Sequence, residues 1–208
     1  MDPGSAVLFL KAMVIGLSIA APVGPIGLLT INRTLDQGMR AGLATGLGAA
    51  FADAAYAALG AFGVALVVDW LIGARAWLAV FGGAVLLWMA WQTWHRRIAE
   101  QAAPLASRAD LLRCFGGTFA LTLSNPATIL SFVAIFGTLA GSAAQPVSPW
   151  TMIAGVLVGS ALWWLLLSSL VAFWRHRFSV RWRKRIDYVS AAILAAFAVW
   201  QWLTMLAG

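Results

Sequence analysis

The chain is 208 residues long, 62% hydrophobic and 10% charged, with a mean hydropathy of +0.87. Soluble domains carry about 25% charged and about 45–50% apolar residues, so the composition excludes an ordinary soluble domain. The net charge of +7 comes from 14 Lys and Arg set in short stretches between long apolar runs, which points to membrane orientation and not to a nucleic-acid face, while a single cysteine, Cys114, excludes a disulfide framework or a thiol metal cage within one chain.

A spanning helix needs about 20 mostly apolar residues. Six runs qualify, at 7–31, 42–68, 77–94, 115–140, 150–174 and 188–206, and the connections between them leave no room for a soluble domain. The expectation is one all-helical transmembrane domain, 1–208, with tryptophans such as Trp70, Trp77, Trp91, Trp150 and Trp174 at the headgroup levels. A cleaved signal peptide at the start is the weaker reading of Lys11 and 13–19. Asp2 is acidic, nothing basic precedes Lys11, and the apolar stretch resumes past Pro25.

The connections after spans one, three and five share a face. They hold two (Arg33, Arg40), four (Arg96, Arg97, Arg108, Arg113) and six (Arg175, Arg177, Arg181, Arg183, Lys184, Arg185) basic residues. The other face holds only Lys11 and Arg75, so the positive-inside rule puts the three loops in the cytoplasm and both termini outside. The Arg175 cluster reads as an orientation signal with affinity for anionic membrane lipid.

Span one is interrupted by Ala21-Pro22-Val23-Gly24-Pro25-Ile26-Gly27. Each proline removes a backbone donor and clashes with the carbonyl four residues back, so an undisturbed helix cannot pass. Span four is interrupted by Ser124-Asn125-Pro126-Ala127-Thr128, which aligns with 23–27 at a constant offset of 101. The following spans also correspond, Ala41-Gly42 with Gly46 lying over Ala154-Gly155 with Gly159, small residues at the spacing that lets helices approach closely. The expectation is a three-plus-three inverted repeat (about 6–95 and 112–207, joined by a cytoplasmic linker at about 96–111). Its broken helices one and four form a central substrate site from Pro22, Gly24, Pro25, Gly27, Ser124, Asn125, Pro126 and Thr128. The alternative is that the prolines kink helices for packing alone.

Asp53 lies inside span two. A carboxylate at a helix centre costs about 2.5–3.5 kcal/mol on insertion scales, so it faces the bundle, either as a proton or cation coupling site or as a structural acceptor for a freed N–H. Tyr56, one turn on, is positioned to donate to it or to pack. Lys11 reads as a snorkelling side chain, Thr30, Asn32 and Arg33 as capping and orientation residues at the cytoplasmic end of span one, and His95 and His176 as solvated loop residues. No metal-protease, phosphate-loop or nucleophile-elbow motif occurs, so no metal, cofactor or enzymatic activity is expected.

With these residues assembled, the chain resembles the LysE/RhtB family of amino-acid exporters. The resemblance rests on Pro22-Val23-Gly24-Pro25, on Arg33-Thr34-Leu35 with 38–50 and Asp53, and on Leu123-Ser124-Asn125-Pro126. It implies a bacterial inner-membrane secondary transporter that exports a small amino acid or related metabolite by alternating access, driven by the proton gradient or membrane potential. A homodimer is plausible for so small a bundle. A cation or metal-ion exporter, a passive channel and a non-transport assembly factor remain the alternatives, though within the spans acidic or Cys ligands beyond Asp53 are lacking.

Overall fold

The computed structural model describes residues 3–22, 24–62, 73–95, 106–125, 128–129, 131–132, 148–177 and 180–207. Among them every regular element is helical, as a membrane demands, since a helix satisfies its own backbone groups. The elements are α1 (Pro3–Ala20), α2 (Pro25–Gln37), α3 (Met39–Ala61), α4 (Arg75–His95), α5 (Arg108–Leu123), α6 (Pro149–Trp174) and α7 (Val180–Ala207), with a 3-10 turn, Arg175–Arg177, after α6.

Local chemistry sets the ends. Proline opens α2 and α6, where its missing N–H costs nothing. A capping box opens α5: the Asp110 N–H donates to Ser107 Oγ at 3.2 Å, and the Ser107 N–H donates to Asp110 Oδ2 at 3.1 Å. The Ser107 hydroxyl, which donates to Asp110 Oδ2 at 2.6 Å, and then the Ser107 N–H hold the exposed Asp110 carboxyl below its ordinary pKa. Between α2 and α3 stands one residue, Gly38, at φ 88°, a conformation that favours glycine.

Helices α3 and α6 are each long and apolar enough to cross a membrane, and α1 with α2 forms a third, bent candidate with 79° between its halves. Parts of the expected spans 42–68 and 115–140, the linker 96–105 and Pro126 lie outside the described residues. Helix α1 packs on α6, α3 on both α6 and α5, and α4 on α7, while α2 rests mainly on α3. Leu86, Ala90, Leu121, Ala191, Leu194 and Ala198 form the buried seam of the α4–α7 side.

The glycines correct one expectation. Gly155 and Gly159 do bring α6 against α1, since a Cβ on either would strike backbone of Phe9 or Met13. Gly42 and Gly46 instead face the side chains of Thr34 and Trp164. The matching backbone approach belongs to Gly48: a Cβ there would meet Phe115 O and Phe119 N, as one on Gly159 would meet Met13 O and Leu17 N. Gly46 and Gly48 lie about 200° apart around the helix, so a two-residue difference in alignment exchanges the faces.

Arg33 supplies the second correction. It lies on α2 inside the bundle and not in a connection, and its Nη1 donates to Thr45 Oγ1 (3.0 Å), the Cys114 carbonyl (3.1 Å) and Thr118 Oγ1 (3.2 Å). Hydropathy ends the first span where polar residues begin, whereas α2 continues six residues past Ile31 because Thr34 and its neighbours remain helical and buried.

Candidate functional site

The two breaks bring their helix ends to one place. At the first, the Ala21 N–H still donates to Leu17 O (2.9 Å), Pro22 has no N–H, and the Gly24 N–H turns back to Pro22 O (2.8 Å). Gly24 is extended (φ −103°, ψ −165°) and caps α2 with no side chain, so the first amides of α2 receive no side-chain cap. At the second, the Asn125 N–H donates to Thr122 O (3.1 Å), and its carbonyl accepts from Thr128 N (3.1 Å) and Ile129 N (3.2 Å). Gly24 O accepts from Leu28 N (3.1 Å) in the same way. The two residues, 101 apart in sequence, each supply a carbonyl that accepts from the amide four positions on.

Between the breaks lies a cavity of about 180 Å³. Pro22, Gly24, Pro25 and Gly27 line it from the first break, Asn125 and Thr128 from the second, and Asp53 from α3. Thr122, Ser131, Trp164 and Phe197 complete most of the wall. Seven of the ten site residues expected from sequence therefore share one space, and Pro126 lies outside the described residues.

Two expected site residues do something else. The Ser124 hydroxyl donates back to the Ala120 carbonyl (2.9 Å), and the residue lines a separate gap of about 10 Å³. The Tyr56 hydroxyl donates not to Asp53 but to the Leu123 carbonyl (2.6 Å), and its ring stacks on Phe132 with centroids 5.5 Å apart. Tyr56 thus donates to the carbonyl of Leu123, the last residue of α5. Helical spacing had put it near Asp53, but a phenol is long enough to reach past its own turn to the next helix.

Asp53 is 3% exposed. The Ser160 hydroxyl donates to its Oδ2 at 2.8 Å, and the Trp164 Nε1–H donates to Ser160 Oγ at 3.2 Å. The indole orders the hydroxyl so that its proton points at the carboxylate. Among the described residues no Lys or Arg pairs with Asp53, and no group of three His, Cys, Asp or Glu is placed to hold a metal ion. A carboxylate so placed favours an incoming ammonium or a proton. Sequence reasoning missed Ser160 and Trp164. The available signal was a tryptophan in mid-span, away from the headgroup levels where that residue settles, with a serine one turn before it.

A sequence model of the LysE type translocator family matches residues 17–203. The chain is 30% identical over 204 residues to the Escherichia coli K12 protein named "Uncharacterized membrane protein YahN", covering 96% of this chain and 90% of that one. It is 28% identical to the chemotactic transduction protein ChpE of Pseudomonas aeruginosa over 90% of this chain and 93% of that one. It is 23% identical to the threonine efflux protein of Escherichia coli K12, over 92% and 96%. No solved structure matches the chain.

Proposed function

The chain belongs to the LysE type translocator family, and from that premise we propose that it is a bacterial inner-membrane secondary transporter that exports amino acids or related small metabolites by alternating access. The observation that carries the reading is the convergence of two broken-helix ends and one buried, cation-free carboxylate on a single cavity. The relative named for threonine efflux supports the substrate class. The cavity, about 180 Å³ against about 300–1,000 Å³ for drug-sized ligands, suits a solute of amino-acid size.

In this reading the uncapped start of α2 receives the substrate carboxylate, because amides and the helix dipole favour an anion there. Asn125 and Thr128 hold the other side, and Asp53 takes the ammonium or a coupling proton, its hydroxyl and indole partners keeping it oriented. Six spans in a three-plus-three inverted repeat are part of the proposal. They are supported by the matched carbonyls of Gly24 and Asn125 and by the matched pairings of α1 with α6 and α3 with α5. Rocking needs bulk that six helices lack, so the working unit is a homodimer with both termini periplasmic. A monomer mass at every concentration in mild detergent overturns the dimer.

The test is the medium of dipeptide-fed cells with and without the protein, followed by mass spectrometry over time. One or a few amino acids should appear faster with the native chain and not with Asp53→Asn. Identical profiles, with the protein folded in the membrane, overturn amino-acid export.

A further inference from the structure

A second cavity, of about 420 Å³, runs along the remainder of α2 between α4, α5 and α7. Its polar lining is Asn32, Arg33 and Gln37 of α2 with Gln92 and Thr93 of α4. Arg33 makes all three of its hydrogen bonds through Nη1, toward α3 and α5. Its Nε and Nη2 have no partner among the described residues, and no carboxylate there neutralises it. A guanidinium held by one nitrogen presents the rest of its planar fork already oriented, the geometry that matches a carboxylate. Beside it Asn32 is 4% exposed, and its Oδ1 accepts no hydrogen bond among the described residues. Buried amide oxygens are nearly always paired, so this one suits a donor carried by a bound solute.

An anchored cation and an unpaired acceptor on adjacent residues form a set for a solute with an anionic and a donor end. We propose that this cavity is a loading site for the α-amino-acid zwitterion, Arg33 binding the carboxylate and Asn32 Oδ1 accepting from the ammonium before the solute passes to the central cavity. The inference rests on the amino-acid export reading.

The two cavities lie in series. Leu121 lines the second cavity and also the gap of about 10 Å³, and Pro25, Ile26, Asn125 and Phe197 of that gap also line the central cavity. Leu121, 8% exposed, is thus the shared wall a solute would displace. The loop charges put the far end of α2 in the cytoplasm, the side from which an exporter loads.

The experiment uses the purified full chain in proteoliposomes of known orientation, with the twenty common L-amino acids as probes. The amino acid moved fastest is then titrated from each face. Asn32→Leu and Arg33→Gln should each raise the half-saturating concentration at the cytoplasmic face about tenfold, the usual scale for losing a charge-assisted hydrogen bond. The outer face should change by less than about twofold, since that face loads the central cavity directly. Arg33→Gln also loses bonds to α3 and α5, so its folding is checked by thermal melting. If it fails to fold, Asn32→Leu, which breaks no side-chain hydrogen bond among the described residues, decides. Native flux with an unchanged cytoplasmic half-saturation, or an equal rise at both faces, overturns the loading site. Absence of flux for all twenty in the native chain overturns export itself, and this inference with it.

Discussion

The two broken helices do the same thing to the backbone with opposite side chains. The first break runs from Ala21 to Gly24, four residues without one polar side chain. The second opens with Ser124 and Asn125, with Thr122 before it and Thr128 after. At both, a carbonyl accepts from the amide four positions on. On the proposed reading, the difference teaches how the two breaks would hold different ends of a solute. The first gives the opening amides of α2 no side-chain cap, so it suits an anion from outside. The second brings an amide and hydroxyls that donate and accept by themselves.

The sharpest way to break this asymmetry is Gly24→Asp. A Cβ at Gly24 meets nothing within 4 Å, and its backbone is extended, so the substitution is tolerated. The new carboxylate would cap α2, stabilising it by about 0.3–1 kcal/mol, and would repel the substrate carboxylate. The melting temperature should rise while kcat/KM for transport falls about a hundredfold, roughly 2.7 kcal/mol. Next, Asn125→Ala removes a side chain from the second break and should weaken substrate binding about tenfold, measured as half-saturation in proteoliposomes.

Smaller effects separate the cavity from its supports. Tyr56→Phe removes the donor to the Leu123 carbonyl and should cost about 1 kcal/mol of stability, seen as a lower melting temperature in detergent, with substrate half-saturation unchanged. Ser124→Ala should do least, altering transport by less than about twofold, because its hydroxyl serves the Ala120 carbonyl and not the cavity.

The breaks and Asp53 were legible in sequence because each violates a local rule. Proline inside an apolar run and a carboxylate at membrane depth need no partner to be noticed. Partners were not legible. Tyr56 and Ser124 were assigned by proximity along the chain, yet the first hydroxyl went to the Leu123 carbonyl at the end of α5 and the second back to the Ala120 carbonyl of its own helix. Arg33 looked like a loop charge because hydropathy registers where apolarity stops and not where the helix does. The face of Gly46 against that of Gly48 turns on two residues, finer than one sequence aligned to itself resolves. The trio Asp53, Ser160 and Trp164 joins α3 to α6 across 107 and more positions, a relation carried only by the packing.

The length of α2 bears on how the chain enters the bilayer. At 13 residues it rises about 20 Å, short of the roughly 30 Å hydrocarbon core, and one residue, Gly38, ties it to α3. Only together with α1 does it make up one bent candidate span, which runs on through Gly38 into α3. Its Arg33 then finds Cys114 and Thr118 only when α5 follows from the ribosome. The first three helices therefore cannot complete their own fold, and maturation of the amino-terminal half waits on synthesis of the carboxy-terminal one.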